Sequence, residues 1–108
     1  MHELALMESV VDTIVDRISD PIAVVRLEIG KLAGVDVEAL RFCFGVCTQG
    51  TGLADATLDI VAIDGRARCR SCGAEFALRS LAAPCACGSF EREVVAGHEL
   101  RLKEVEVY

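Results

Sequence analysis

The sequence has few basic residues and no long apolar run, and each shortage excludes a class of protein. Eleven Lys and Arg stand against 17 Asp and Glu in 108 residues, which gives a net charge of -6 at pH 7. Nucleic-acid backbones and anionic membrane surfaces both attract basic patches, so we expect neither as a partner. No apolar stretch approaches the roughly 18 residues of a transmembrane helix.

The first residues also lack the basic start of a secretion signal, so we expect a cytoplasmic protein. Hydrophobic residues make up 53% of the chain, which is enough to form the core of one small domain with an additional subdomain. The six cysteines should not form disulfides in a reducing compartment. They fall into two groups, which are Cys43 and Cys47, then Cys69, Cys72, Cys85 and Cys87.

The first third of the chain shows one helical and one strand pattern. Apolar residues at spacings of three and four predict an amphipathic helix over roughly residues 3–19 that ends before Pro21. Alternation of apolar and polar residues over 23–29 then predicts a strand. The helix also carries an acidic row, Glu8, Asp12 and Asp16, which is either a solvated face or a docking face for a basic partner.

The remaining elements complete an α+β fold. Asp36 is a suitable N-cap for a second helix, whose core face is expected to hold Leu40, Cys43, Phe44 and Cys47. Strands are predicted over 57–62 and from His98 onward. In the last strand the alternation of apolar and polar residues shifts by one position at Glu104, which indicates a bulge or the end of the strand. We therefore predict two helices packed on a small three-stranded sheet, with a zinc-knuckle or zinc-ribbon-like subdomain inserted before the last strand. The main domain would comprise residues 1–65 plus 94–108, and the zinc-binding subdomain residues 66–93.

The inserted segment is typical of a structural zinc site. It has few large apolar side chains, so it needs a crosslink such as a bound metal ion in order to fold. Four soft ligands suit tetrahedral zinc, and four protein thiolates leave no open coordination position for catalysis. The second pair, Cys85-Ala86-Cys87, is one residue shorter than Cys69-Arg70-Ser71-Cys72. This spacing strains the second chelate loop, so the assignment of Cys87 as a ligand depends least on spacing of the four.

The N-terminus offers a second kind of metal site. The bulky His2 should prevent removal of Met1, so that the Met1 amine, the His2 amide nitrogen and the His2 imidazole can form fused chelate rings. Such planar nitrogen ligation suits Ni(II) or Cu(II). Three nitrogens leave the fourth position of a square-planar site open, and His98 is the only other histidine in the sequence. His98 is therefore either a further nickel ligand or a half-buried histidine bonded to backbone.

Several motifs together resemble the HypA/HybF family of nickel metallochaperones. They are the opening Met1-His2-Glu3, the strand end Val25-x-Leu27-x-Ile29-Gly30, the Gly50-Thr51 step and the four-cysteine insert. The resemblance implies delivery of Ni(II) for maturation of [NiFe]-hydrogenase, and of urease in some members. It implies transferred nickel at Met1, His2 and Glu3, and structural zinc at the two cysteine pairs. It also implies two partners, a HypB-type GTPase and the hydrogenase large subunit precursor. The usual second pair of the family is Cys-Pro-x-Cys, from which Cys85-Ala86-Cys87 departs.

The sequence is also compatible in part with two other functions. His2-Glu3 and His98-Glu99 each resemble the start of a zinc-protease His-Glu-x-x-His motif, but no histidine completes either, so an enzyme is not expected. A zinc-ribbon adaptor or regulator without nickel would explain the four cysteines but not the N-terminus. The sequence leaves open whether the chain is a monomer or a homodimer.

Overall fold

The structure, a computed structural model, describes residues 2–108. Neither helix in that range has the length and apolar character of a membrane span. The strands form two three-stranded sheets, one in the order β2-β1-β6 and the other in the order β4-β3-β5. The elements in chain order are α1 (Glu3–Arg17), β1 (Ile22–Gly30), α2 (Val37–Cys47), β2 (Thr57–Ile63), β3 (Arg66–Cys69), β4 (Glu75–Ala77), β5 (Arg92–Ala96) and β6 (Leu100–Val107).

Helix α1 confirms the amphipathic pattern. Its buried residues Met7, Val11 and Ile14 are spaced by four and three, which places them on one face. The helix ends at Arg17, slightly earlier than predicted, where the extended Ile18 donates its backbone N–H to the carbonyl of Ile14 at 2.8 Å.

Helix α2 begins at the predicted cap. The Asp36 carboxylate accepts hydrogen bonds from the backbone N–H groups of Glu38 and Ala39 at 3.0 and 3.2 Å, which satisfies two donors of the first turn. Leu40, Cys43 and Phe44 are buried as predicted, whereas Cys47 is only half-buried.

The last strand returns to the first sheet as predicted, with β1 in the middle. Arg26 of β1 bonds Asp59 of β2 at 2.6 Å and Glu104 of β6 at 2.6 Å, so one guanidinium ties both neighbouring strands to the central one. The strand begins at Leu100 and not at His98. It continues past Glu104, where the alternation of apolar and polar residues shifts by one position, and Lys103 and Glu104 are both exposed.

The chain divides into two compact units. The first comprises the described residues up to Leu27, Val35–Ile60 and Leu102–Tyr108, and the second comprises Glu28–Gly34 and Val61–Arg101. In the second unit, β3 pairs antiparallel with both β4 and β5, so that Ala67 faces Phe76 on one side and Val94 on the other. The sequence did not predict this sheet, because strands of three to five residues are too short for a clear alternation. Between residues 61 and 101 the buried apolar side chains are few and comprise Ala67, Cys69, Leu78 and Cys85.

Gly30 supports a specific stability prediction in this second unit. A Cβ atom at Gly30 would collide with the backbone carbonyl of Gly97 and lie 2.7 Å from the amide nitrogen of Glu99. Gly30 also donates its N–H to the carbonyl of Glu99 at 2.7 Å, so the backbones cannot separate without loss of this bond. We expect Gly30→Ala to lower the free energy of unfolding by about 1–3 kcal/mol or more, measured by urea denaturation.

Gly45 provides the matched control for that substitution. It is exposed in α2, and an added Cβ meets nothing within 4 Å. Gly45→Ala should therefore leave stability unchanged or raise it by up to about 1 kcal/mol, because alanine is the better helix former. Equal stability of the two variants would contradict the close approach at Gly30.

Candidate metal centres

Four cysteines of the second unit converge on one point. Cys69 ends β3, Cys72 lies in the turn after it, and Cys85 and Cys87 lie in the loop between β4 and β5. Their four sulfur atoms all lie within 4.8 Å of one another. The structure therefore brings together all four residues predicted as zinc ligands, with Cys87 in the cluster despite its short spacing.

The sulfur positions fit a tetrahedral metal. Thiolates at a Zn–S distance of about 2.3 Å in a tetrahedron lie about 3.8 Å apart. The Sγ atoms of Cys69 and Cys87 are 3.6 Å apart, and those of Cys72 and Cys85 are 3.7 Å apart. Each of these contacts joins one cysteine of the first pair to one of the second, so a metal would crosslink the two loops.

A backbone hydrogen bond favours the ligating form of one of these thiols, that of Cys69. The N–H of Cys72 donates to the Cys69 sulfur at 3.5 Å, and this bond is the main reason that the pKa of Cys69 falls to about 6. The pKa of Cys69 therefore lies below neutral pH, where thiolate, the metal ligand, predominates. Gly73 and Gly88 take the positive φ values of 79° and 89° that close the turn after each pair.

Two serines, which no sequence motif indicated, link the cysteine loops. The hydroxyl oxygens of Ser71 and Ser89 lie 2.8 Å apart, within hydrogen-bonding distance. Ser89 also accepts a backbone hydrogen bond from the N–H of Cys85 at 2.9 Å. No local sequence pattern predicts a contact between residues 18 positions apart. Only their closeness in sequence to the cysteines, Ser71 before Cys72 and Ser89 two residues after Cys87, could have pointed to them.

Two of the predicted nickel ligands, His2 and Glu3, lie at the start of α1, in the first unit. His2 is exposed and occupies the N-cap position without capping the helix through its side chain, and Glu3 is the first helical residue. The third predicted ligand, Met1, lies outside the described residues. His2 and Glu3 line a groove of about 510 Å³ together with Leu4, Ala5, Glu8, Ala39 and Cys43.

The Glu3 carboxylate is held in place by α2. It accepts a hydrogen bond from the backbone N–H of Asp36 at 3.1 Å, and this bond is the main reason that the pKa of Glu3 is lowered. The sequence predicts Asp36 only as a helix cap. Its second role anchors the start of one helix to the start of the other.

The helix geometry leaves the amide nitrogen of His2 available. The first helical bond runs from the N–H of Leu6 to the carbonyl of His2 at 3.1 Å, so the amides before it have no acceptor within the helix. A cation here meets the positive end of the helix dipole. The negative charge of Glu3, and of a deprotonated amide, would offset that repulsion.

His98 lies in the second unit, between β5 and β6, directly after Gly97. Gly97 is buried with φ +112°, whereas His98 is exposed. The alternative of a half-buried histidine is therefore wrong, and its imidazole is open to solvent.

The other two cysteines lie apart from the four-cysteine cluster. Cys43 is 9% exposed in the core of the first unit, and Cys47 is half-buried beside it on α2. Burial raises the pKa of Cys47, and the carboxylates of Glu8 and Asp12 raise it further. Neither thiol belongs to the group of four sulfur atoms that converge on one point, so neither is expected to bind the metal there.

We therefore expect the double variant Cys43→Ala/Cys47→Ala to keep the metal content of the native chain. Small apolar side chains replace small apolar thiols, so the first unit should stay folded with at most a modest loss of stability. Nickel and zinc per chain, measured by elemental analysis after dialysis, should be unchanged. Loss of either metal from a folded double variant would show that Cys43 or Cys47 is a ligand.

Comparison with known proteins gives consistent matches along the whole chain. A family model described as hydrogenase/urease nickel incorporation, metallochaperone, matches residues 1–107. The hydrogenase maturation factor HypA of Trichormus variabilis is 45% identical over 99% of this chain and 96% of its own length. The HypA of Geobacter metallireducens is also 45% identical, over 99% of both chains. The solution structure of the Ni metallochaperone HypA from Helicobacter pylori aligns with TM-score 0.67 over 99% of this chain and 97% of its own, at 24% identity, which supports the fold.

Proposed function

Since the chain belongs to the HypA family of nickel metallochaperones for hydrogenase maturation, we propose that it carries Ni(II) on its own N-terminus. The ligands are the Met1 amine, the amide nitrogen and imidazole of His2, and Glu3. The observation that carries this proposal is the exposed His2 at the start of α1, where its amide is free of the helical hydrogen bonds. Planar nitrogen ligation of this kind suits Ni(II).

Glu3 takes part either through its backbone nitrogen or through its carboxylate. In support of the first route, the carboxylate is already bonded to the N–H of Asp36. In support of the second, a carboxylate oxygen has lone pairs left for a metal after accepting one hydrogen bond. Either way, the Asp36 contact fixes the start of α1 and orients the ligands.

Structural zinc is the second part of the proposal. Cys69, Cys72, Cys85 and Cys87 would hold one Zn(II), and their sulfur separations of 3.6 and 3.7 Å support this assignment. Zinc would supply no chemistry there and would instead crosslink a segment with a small core. We propose residues 66–93 as the zinc-binding subdomain and residues 1–65 plus 94–108 as the nickel-binding part. The compact units divide at other positions, since Glu28–Gly34 and Val61–Arg101 belong to the second unit.

The partners proposed are a HypB-type GTPase and the large subunit precursor of a [NiFe]-hydrogenase, in the cytoplasm. Support comes from the family, whose curated relatives are named hydrogenase maturation factors. The acidic balance of the chain also disfavours nucleic acid. A pull-down from nickel-replete cells that recovers neither protein would contradict these partners.

Nickel titration of the untagged protein tests the function most quickly. A planar nitrogen site gives a visible d–d absorption band that saturates at one nickel per chain. The competing function, a zinc-ribbon adaptor, predicts no such band and zinc alone. Absence of the band at saturating nickel would favour the adaptor.

We also propose His98 as a further nickel ligand in some states of the protein. The exposed imidazole supports this role, since no burial hinders ligation. His98→Ala should then weaken nickel binding and shift the visible band, while zinc content stays the same. Unchanged affinity, spectrum and handover to the GTPase would show that His98 is no ligand.

A further inference from the structure

The outer surface of α1 and α2 combines apolar and acidic side chains that have no partner among the described residues. Leu4 and Val15 of α1 are 49% and 47% exposed, and Phe42 and Val46 of α2 are 74% and 49% exposed. Clusters of exposed apolar side chains on a small domain commonly mark interaction sites. With the carboxylates between them, they form what we call the acidic-apolar face, which consists of Leu4, Glu8, Asp12, Val15, Phe42 and Val46.

The members of this face lie next to one another. Residues at intervals of four, four and three, from Leu4 to Val15, share one side of a helix, and so do Phe42 and Val46. Glu8 lines the N-terminal groove with Cys43, and the carboxylates of Glu8 and Asp12 act on Cys47. Cys43 and Cys47 directly follow Phe42 and Val46 in α2, so the acidic row runs beside the exposed apolar row.

The charge of this face is not neutralised within the first unit. Glu8, Asp12 and Asp16 form no ion pair with any residue from His2 to Tyr108. The first unit carries eleven Asp and Glu against four Lys and Arg. Of those four, Arg26 is held by three carboxylates and Arg41 by the carbonyl of Leu58.

We propose that the acidic-apolar face binds a basic amphipathic helix presented by a protein partner. Lysines or arginines of that helix would pair with Glu8 and Asp12, and its large apolar side chains would cover Phe42 and Val46. Helices bind in this way through apolar anchors spaced by three and four residues. Complementary charge sets orientation and speeds encounter.

The position of the face connects it to the metal. Leu4 and Glu8 belong both to the face and to the groove lined by His2 and Glu3. A helix bound there would therefore lie against the start of α1. To this extent the inference rests on the proposed nickel function and deepens it, since it names the surface through which a receiving protein reaches the carrier.

Two matched pairs of variants test the face. Phe42→Ser removes its most exposed anchor, and Phe90→Ser, at 62% exposed in the second unit, is the control. The double reversal Glu8→Lys/Asp12→Lys changes its charge, and Glu91→Lys/Glu93→Lys makes the same change on exposed residues of the second unit. The probe is a synthetic leucine-lysine amphipathic helix of the length of α1, with a leucine-glutamate helix of the same pattern as its counterpart.

The lysine peptide should bind the native chain, and the glutamate peptide should not. Phe42→Ser and the Glu8/Asp12 reversal should each weaken binding about tenfold or more, whereas both controls stay within about twofold. Amide shifts in the NMR spectrum should concentrate on α1 and α2, and affinity should fall as salt is added. No binding, or equal binding by Phe42→Ser and Phe90→Ser, would overturn the proposal.

The purified HypB-type GTPase provides the second probe. If it uses the face, Phe42→Ser should weaken its binding about tenfold, with Phe90→Ser unaffected and nickel binding of both variants normal. Equal effects of the two substitutions on GTPase binding would overturn the role of the face. A GTPase that does not bind the native chain at all would contradict the proposed partner, and the peptide experiment would then decide about the face by itself.

Discussion

Cys69→Ser should remove zinc from the protein and unfold the second sheet. Cys69 is 1% exposed and belongs to a small group of buried apolar side chains between residues 61 and 101, with Ala67, Leu78 and Cys85. A segment with so few buried apolar side chains depends on its metal, because metal-binding energy is folding energy there. We expect zinc to fall from one per chain to nearly none, and the amide signals of residues 66–93 to collapse toward random-coil positions.

Cys47→Ser is the matched control, because Cys47 is half-buried in the first unit and lies outside the cluster. It should keep its zinc and the dispersed signals of both units. In the Cys69 variant the signals of α1 and α2 should also persist, since the two helices pack on each other. Full zinc content in a folded Cys69→Ser protein would show that the other three cysteines suffice.

Blocking the N-terminus should abolish specific nickel binding. A residue added before Met1 converts the amine to an amide, and His2→Ala removes the imidazole; each takes one of three nitrogens from the planar site. We expect the visible nickel band to disappear in both variants and nickel per chain to fall close to zero. Zinc should stay at one per chain, because the four cysteines belong to the second unit.

Ser9→Ala provides a control for general effects on α1. Ser9 is exposed in the same helix, and its side chain has no hydrogen-bond partner among the described residues. This variant should bind nickel like the native chain. If the extended protein binds nickel as tightly as the native protein with the same spectrum, the amine is not a ligand.

The sequence predicted those parts of the fold that repeat a pattern over several turns or alternations. The stripe with Met7, Val11 and Ile14 specified α1, and Asp36 specified the start of α2. The second sheet was not predicted, because β4 has only three residues and its pairing with β3 is set by the loop geometry. Short strands of this kind carry too little local information.

The same distinction holds for the two metal sites. The cysteine pairs predicted the cluster, since ligand spacing is visible in a sequence, but the contact of Ser71 with Ser89 joins different loops. Likewise, Glu3 was expected from the family resemblance, whereas its bond to the N–H of Asp36 depends on how two helices pack. Contacts between distant segments follow from tertiary structure, which no local pattern encodes.

The most direct test of nickel delivery follows radioactive nickel from the carrier to the hydrogenase large subunit precursor. Untagged chain is loaded with ⁶³Ni, mixed with the GTPase and the purified precursor, and the label on the precursor is counted with time. The native chain should transfer its nickel, whereas His2→Ala and the N-terminally extended chain, mixed with equal nickel, should transfer no more than nickel added without any carrier. Equal transfer by the native and the extended chain would contradict the N-terminal nickel site.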